Sequence, residues 1–262
     1  MALPEGVGRP AEVTGEQWLA ARKELLAEEK ELRRRLDALN AARRRLPMVR
    51  VDKDYVFEGP DGKATLPDLF QGRSQLYVHH FMWLDETDTG CPSCTAAAEL
   101  HFTPAFLAHL HERDITFAAV ARAPLPSIEA YRAQHGWTFP WYSSHGSDFN
   151  YDFHVTLDES VAPVEYNYRT KEELLATGLP EEALKGDWPG NSVFLRDGDE
   201  VFHTYSAYAR GLDQLFTPYH FLDLTPYGRQ ESWEDSPEGW PQKPTYAPGK
   251  LTLRGADQHH CH

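Results

Sequence analysis

The sequence predicts an α/β fold whose central strands run parallel, and three observations support that prediction. Residues 75–83 and 115–121 form continuous apolar runs of the length typical of strands buried on both faces. An alanine-rich helical segment over 92–112, which Pro104 is expected to kink, separates them. A second helix over 127–135 leads to a third apolar strand at 139–142. The order β-α-β-α-β favours parallel pairing, because each helix carries the chain back to the start of the next strand.

Composition limits the classes of function. The chain has 262 residues, of which 41% are hydrophobic, enough for a packed core. Residues 1–50 carry 11 Lys/Arg against 8 Asp/Glu, whereas the remaining 212 carry 15 against 32, and so acidic a body argues against nucleic-acid binding. The sequence contains no run of eighteen apolar residues, so no membrane span is expected. Because the N-terminus lacks the features of a secretory signal and only three cysteines occur, the cytoplasm is the expected location.

Residues 1–48 are predicted to form a helical arm. Its helix is expected over 14–45, beginning with the capping-box pair Thr14 and Gln17 and ending before Pro47. An apolar stripe follows one side of this helix and consists of Trp18, Leu25, Leu32, Leu36 and Leu39. Such a stripe either packs on the chain's own domain or joins two copies of the chain, so a homodimer through this helix is one of two alternatives.

The main, thiol-bearing domain is expected over residues 49–225. A hairpin over 51–70 turns at a Gly-Pro-Asp-Gly sequence, and a second hairpin over 191–205 turns at Asp-Gly-Asp. Between the third strand and the second hairpin, about residues 143–190, the pattern becomes polar and irregular and indicates an insertion in the fold.

Residues 226–262 are predicted to be an extended tail, because prolines and glycines recur throughout them. This tail either wraps the body or stays mobile. Its last residues offer thiol and imidazole groups that suit a metal, although disorder is the preferred interpretation of a chain terminus. They are His259, His260, Cys261 and His262.

A pair of cysteines stands at the junction between the first buried strand and the helix that follows it. In the sequence Cys91-Pro92-Ser93-Cys94, Cys91 is expected to be the N-cap and Pro92 the first helical residue. The positive end of the helix dipole would then favour a thiolate at Cys91, and Cys94 would lie one turn away, close enough for a disulfide. This context favours thiol redox chemistry in which Cys91 attacks and Cys94 resolves.

Other interpretations of the pair stay open. Asp85, Glu86 and Asp88 precede it, and nearby carboxylates disfavour a thiolate. The pair could be an inert local disulfide, or part of a copper or zinc site to which a histidine such as His80 contributes, since thiolates and imidazoles suit both metals. The other histidines considered for that site are His79, His101 and His203.

Several other residues are candidates for a supporting role. His79 and His80 are adjacent on a buried strand and must point to opposite faces. Core positions are the preferred interpretation for both, and the alternative is that one of them points towards the cysteine loop. His203, Tyr205 and Arg210 lie in or after the second hairpin. Arg210 is a candidate for holding a thiolate or an anionic substrate, or else forms an ion pair with one of many carboxylates.

The order of elements resembles that of thioredoxin: strand, C-x-x-C, helix, strand, helix, strand, proline, hairpin and helix. Pro189 and Gly190 precede the second hairpin, and they resemble the thioredoxin segment in which a cis-proline precedes a strand. The proline stands one residue earlier here. If its peptide bond is cis, the resemblance implies that this segment lies near the cysteines and helps to hold an extended substrate.

More closely, the chain resembles a bacterial family of uncharacterised thioredoxin-like proteins, domain of unknown function 899, labelled as predicted dithiol–disulfide oxidoreductases. The resemblance covers roughly residues 15–232 and rests on the segments 55–62, 69–76, 80–82, 90–94, 201–206, 209–211 and 222–229. It implies a thioredoxin-like mixed sheet flanked by helices. We therefore expect an enzyme without a cofactor that acts on a small-molecule or protein thiol or disulfide, or on a peroxide. Charge and hydropathy predict neither a nucleic-acid nor a membrane partner.

Overall fold

The computed structural model describes residues 3–244 and the backbone of residues 252–253. The chain divides into two compact units, one spanning Leu46–Asp213 and one formed by Met1–Arg45 with Gln214–His262. The terminal residues 259–262, which were considered as metal ligands, lie outside the described residues. None of the helices described is long and apolar enough to cross a membrane.

The unit from Leu46 to Asp213 contains most of the regular structure. Its strands are β1 (Val49–Arg50), β2 (Val56–Gly59), β3 (Gly62–Thr65), β4 (Gln75–His80), β5 (Trp83–Leu84), β6 (Thr89–Gly90), β7 (Ile115–Ala121), β8 (Trp141–Ser143), β9 (Thr156–Leu157), β10 (Glu165–Tyr166), β11 (Arg169–Thr170), β12 (Gly186–Asp187), β13 (Gly190–Asp197) and β14 (Glu200–Tyr208). The helices among the described residues of both units are α1 (Gly15–Arg43), α2 (Leu66–Leu69), α3 (Pro92–His101), α4 (Pro104–His111), α5 (Leu125–His135), α6 (Phe149–Asp152), α7 (Lys171–Leu175) and α8 (Thr217–Leu222), with 3-10 turns at Glu181–Ala183 and Ala209–Leu215. The other unit adds the short strands β15 (Pro241–Gln242) and β16 (Thr252–Leu253).

An eight-stranded mixed sheet forms the centre of this unit, in the order β1-β14-β13-β4-β7-β8-β2-β3. Strands β4, β7 and β8 are parallel, and β13 pairs antiparallel with β4 on one side and with β14 on the other. Helices α3 and α4 connect β4 to β7, and α5 connects β7 to β8. The predicted α/β fold with a mixed sheet flanked by helices is confirmed.

Side chains of the central strands alternate between two apolar clusters, one on each face. Leu76, Val78 and Val120 point into a cluster that includes Phe149 and Phe153. The alternate residues of β7 point into a second cluster on the other face, which we call the cysteine-side core. It consists of Phe81, Trp83, Cys94, Ala98, Leu107, Phe117, Ala119, Ala121, Ala123, Ile128, Phe139 and Trp141. Burial on both faces is the physical reason why these strands read as continuous apolar runs.

The helix predicted over 92–112 is two helices rather than one kinked helix. Residues Phe102 and Thr103 leave the helical conformation, and Pro104 is the first residue of α4. The Thr103 hydroxyl accepts a hydrogen bond from the Phe106 N–H at 3.3 Å and so caps α4. A proline inside a helix removes one hydrogen bond and clashes with the preceding turn, whereas at a helix start it costs little.

The predicted N-terminal helix is α1, which has the capping box at Thr14 and Gln17. The Gln17 N–H donates to the Thr14 hydroxyl at 3.2 Å, and the Thr14 N–H donates to the Gln17 side chain at 3.0 Å. None of the residues of α1 is buried.

Candidate active site

The cysteine pair lies beyond the carboxyl end of the parallel strand β4. The chain leaves β4, forms the small hairpin β5–β6, and reaches Cys91 directly after Gly90. The Cys91 N–H donates to the Met82 carbonyl at 3.0 Å. This bond holds Cys91 close to the residues that directly follow β4. Cys91 is the N-cap of α3 and Pro92 is its first residue, as the sequence predicts.

The start of α3 is anchored to α5 through Thr95. The Thr95 N–H and hydroxyl both donate to the Cys91 carbonyl, each at 2.9 Å. The Tyr131 hydroxyl on α5 lies 2.9 Å from the Thr95 hydroxyl. Since the hydroxyl hydrogen of Thr95 is directed at the Cys91 carbonyl, the Tyr131 hydroxyl is the donor in its bond with Thr95. The Thr95 hydroxyl thus joins the first turn of α3 to α5.

The two thiols differ in exposure and in acidity. Both are free, with Cys94 buried and Cys91 half-buried. A hydrogen bond from the Cys94 thiol is the largest cause that lowers the pKa of Cys91, to about 6, against the opposing effect of burial. The peptide N–H groups of Cys94 and Ser93 and the Ser93 hydroxyl lower it further. The same hydrogen bond, together with burial and the charge on Cys91, raises the pKa of Cys94. At neutral pH the accessible sulfur is therefore the thiolate.

The acidic loop before the cysteines does not prevent this. Asp85 pairs with Arg122 at 2.5 Å, while Asp88 accepts hydrogen bonds from the Trp83 indole at 3.1 Å and the Ser127 hydroxyl at 3.0 Å. The pKa of Cys91 is set by hydrogen bonds at its sulfur against the effect of burial, and none of these carboxylates is among the causes of its shift.

Arg122 and Asp187 form a buried ion pair that sequence reasoning missed. The Arg122 Nε donates to Asp187 Oδ1 at 2.8 Å, and the Thr156 hydroxyl donates to the same oxygen at 2.7 Å. Burial raises the pKa of Asp187, and Arg122 partly offsets that effect. Because Arg122 also binds Asp85, it fixes the loop that leads to Cys91. The one local signal was an arginine directly after the buried strand at 115–121.

Aromatic rings press against the backbone of Gly90. A Cβ placed there would lie 2.7 Å from Phe81 and 2.9 Å from Tyr131, both closer than van der Waals contact. Phe81 and Tyr131 belong to a packed group with Trp83, Trp137 and Trp141. A side chain at this position would therefore displace either the rings or the adjacent cysteine.

We expect Gly90→Ala to destabilise the fold by about 1–3 kcal/mol, the usual effect of overpacking a filled core. Denaturant unfolding of the reduced protein measures the change. Gly15→Ala is the matched control, because a Cβ at Gly15 meets no atom within 4 Å. Equal stability of Gly90→Ala and the unsubstituted protein would contradict the tight packing around Gly90.

The structure places His79 and His80 on opposite faces, and only His79 faces the cysteine-side core. The ring of His79 lies against Phe81 and Phe102, and its Nδ1 is 2.7 Å from the Asn191 side chain. His80 instead packs on Phe149 and Phe153. Burial lowers the pKa of His79 to about 4 and that of His80 to about 3, so both rings are neutral at pH 7.

His80, the histidine of the alternative metal-ligand set with Cys91 and Cys94, therefore lies across the sheet from the two sulfur atoms. Within the part of the chain that the structure describes, no three His, Cys, Asp or Glu side chains are grouped so that they could hold a metal.

His203 lies on the same face as His80 and is joined to it by two serines. His80 Nε2 is 2.8 Å from the Ser192 hydroxyl, which is 2.8 Å from the Ser206 hydroxyl, which in turn is 2.8 Å from His203 Nε2. Ring contacts with Phe153 hold His203 among the apolar side chains of that face. His203 is thus connected to His80, on the face opposite the cysteines.

Tyr205 and Arg210 occupy different surroundings. Tyr205 on β14 lies opposite Val193 on β13, and Val193 in turn lies opposite Tyr77 on β4. Burial is the larger cause of the raised pKa of Tyr77, and the Tyr205 phenol group is the smaller one. Arg210 donates to the Asp213 carboxylate at 3.3 Å, which is the ion pair considered as its alternative role.

Pro189 and Gly190 stand at the start of β13. No peptide bond among the described residues is cis, so Pro189 follows a trans bond and the condition attached to its predicted role is not met. Its carbonyl accepts a hydrogen bond from Tyr166 at 2.7 Å. A Cβ on Gly190 would lie 2.8 Å from Val155 and 2.9 Å from Tyr208, which explains the glycine by packing.

Comparison with known proteins gives one family. The family described as "Bacterial protein of unknown function (DUF899)" matches residues 8–246. No curated protein matches the sequence. Solved structures that are similar include peroxiredoxin Q of Xanthomonas campestris, with 13% identity over 61% of this chain and 84% of that chain and a TM-score of 0.40. Peroxidoxin BcpB of Mycobacterium tuberculosis has 11% identity over 65% and 93%, with a TM-score of 0.43. A putative protein disulfide isomerase of Bacteroides thetaiotaomicron has 14% identity over 67% and 91%, with a TM-score of 0.37.

Proposed function

We propose that this chain, which belongs to the bacterial family of unknown function DUF899, is a thiol–disulfide oxidoreductase that acts through Cys91 and Cys94. The observation that carries the proposal is the unequal acidity of the two thiols. The half-buried Cys91 has a pKa lowered to about 6, whereas the hydrogen bond to Cys91 and burial raise the pKa of Cys94 and keep it protonated. A nucleophilic thiolate beside a protonated partner is the arrangement that thiol–disulfide exchange requires.

In the proposed reaction the Cys91 thiolate attacks one sulfur of a substrate disulfide. An S–S bond forms between Cys91 and that sulfur, the substrate S–S bond breaks, and the other substrate sulfur leaves as a thiolate that takes a proton from solvent. Cys91 is now neutral, so the negative charge that raised the pKa of Cys94 is gone. Cys94 then loses its proton to solvent more readily and becomes the second nucleophile.

The Cys94 thiolate attacks the Cys91 sulfur and releases the second half of the substrate. The protein ends as a Cys91–Cys94 disulfide and the substrate as two thiols, so two electrons pass from protein to substrate. The substrate class includes small-molecule and protein disulfides, and the reverse reaction oxidises a dithiol. With a peroxide, the same Cys91 thiolate would give water or an alcohol and a sulfenic acid, which Cys94 would convert to the disulfide.

Trapping experiments test the assigned roles. We expect reduced Cys94→Ser to accumulate a mixed disulfide with oxidised glutathione or an aromatic disulfide, visible as an added mass on the peptide that contains Cys91. Cys91→Ser should form no such adduct at pH 7 and should lose exchange activity by at least about 1,000-fold, because the thiolate nucleophile is removed. Peroxide is a parallel substrate, with sulfenic acid on Cys91 as its product. Exchange activity that survives in Cys91→Ser would refute the proposal.

A further inference from the structure

The N-terminal helix α1 carries a row of exposed apolar side chains at strict seven-residue intervals. Trp18, Leu25, Leu32 and Leu39 are 59%, 52%, 67% and 49% exposed. A seven-residue repeat keeps side chains on one slowly turning side of a helix, and it supplies one of the two apolar positions per heptad that helices wrapped around each other carry. A row of this kind, three heptads long, matches the surface that one helix presents to another.

Charge is distributed unequally along the same helix. Residues 15–31 contain three Lys/Arg and five Asp/Glu, whereas residues 32–45 contain six Arg and one Asp. Two copies side by side in parallel would place acidic half against acidic half and basic half against basic half. In an antiparallel pair, the acidic half of each helix faces the basic half of the other, and both contacts are favourable.

We propose that α1 is a dimerisation helix that pairs antiparallel with α1 of a second copy of this chain. The heptad row forms the apolar seam, and the segregated charges set the direction. A two-fold axis crosses the seam near its middle. Both subunits therefore use the same surface of α1, run in opposite directions, and the contact closes after two subunits. This inference does not depend on the proposed redox function.

The mass of the full-length protein in solution tests the pairing. We expect a dimer by light scattering and sedimentation at micromolar concentration. Leu25→Glu combined with Leu32→Glu should weaken the dimer by at least about 100-fold, because both subunits lose two buried leucines. Ala27→Glu is the matched control, since Ala27 is exposed on another side of α1 and its substitution should leave the dimer intact. A monomeric unsubstituted protein, or a dimer that persists in the double variant, would overturn the proposal.

The direction of the pair is tested separately. A photoreactive p-benzoylphenylalanine in place of Trp18 should cross-link to residues 36–43 of the second copy, as read from mixed isotope-labelled and unlabelled protein. Cross-links to residues 14–22 would mean a parallel pair and would overturn the charge argument. Circular dichroism and the pH profile of Cys91 alkylation should be the same in all variants, which distinguishes loss of pairing from loss of folding.

Discussion

Replacement of Arg122 by methionine is expected to destabilise the folded protein by about 3–5 kcal/mol at pH 7, because it leaves the buried Asp187 carboxylate without its cation. Asp187 is 5% exposed, and its remaining partner would be the Thr156 hydroxyl. The Met side chain retains much of the apolar stem of arginine, so the loss measures charge more than packing. Denaturant unfolding of both proteins gives the difference.

The pH dependence of this loss has a definite sign. Burial already raises the pKa of Asp187 in the folded protein, so the folded state holds its proton more strongly than the unfolded state. A carboxyl group with a raised folded pKa costs stability as the pH rises from its ordinary value through the folded value. Removal of Arg122 should raise that pKa further. The variant should therefore regain part of its stability on acidification towards pH 4, where Asp187 is protonated.

The double variant Arg122→Met, Asp187→Asn is the control. It removes the buried charge together with its partner, so we expect it to recover a substantial part of the stability lost in the single variant. If Arg122→Met alone unfolds as the unsubstituted protein does, then Asp187 is not a buried charge that depends on Arg122.

The positions of the strands and of the cysteine helix could be predicted because their signals are local. The continuous apolar run before the cysteines marks a buried strand, and Cys91-Pro92 marks a helix start. The break between α3 and α4 could be predicted only in part. Pro104 indicates an interruption of the helix, but not whether the helix bends or ends there. Alternation along β4 predicted that His79 and His80 face opposite ways, yet nothing local said which face covers the cysteines.

The ion pair of Arg122 with Asp187 could not be predicted, because its members are 65 residues apart and meet only through the fold. The same holds for the line of hydroxyls from His80 to His203, in which partners are up to 112 residues apart. The region between β8 and β13 was difficult for another reason. Its strands β9 to β12 have two residues each, too short for any periodicity to register.

Alkylation of the reduced protein by iodoacetamide is expected to titrate with a midpoint near pH 6, the pKa of Cys91. An ordinary thiol titrates near pH 8.5, so Cys91 at pH 7 should carry a thiolate fraction more than about 10-fold larger. The rate of carbamidomethylation at the Cys91 peptide, followed by mass spectrometry from pH 4 to 9, measures the midpoint. Labelling of the buried Cys94 should stay slow throughout this range because its pKa is raised.

Cys94→Ala isolates the cause of that acidity. The largest contribution to the low pKa of Cys91 is the hydrogen bond from Cys94, so alanine should move the midpoint of alkylation to a higher pH. Cys94→Ser retains a hydroxyl donor and should move it less. An unchanged midpoint in Cys94→Ala would mean that the peptide groups at positions 93 and 94 and the Ser93 hydroxyl lower the pKa of Cys91 without the Cys94 thiol.

The same shift makes the stability of the reduced protein depend on pH. The folded pKa of Cys91 lies below its unfolded value, so its contribution to stability is fully present above the unfolded value and is lost as the pH falls through about 6. Cys94, whose pKa is raised, works in the opposite direction, but only above its ordinary range. Reduced protein should therefore gain stability between pH 6 and pH 9 relative to Cys91→Ser. Parallel unfolding curves for the two proteins across this range would show that Cys91 holds no thiolate.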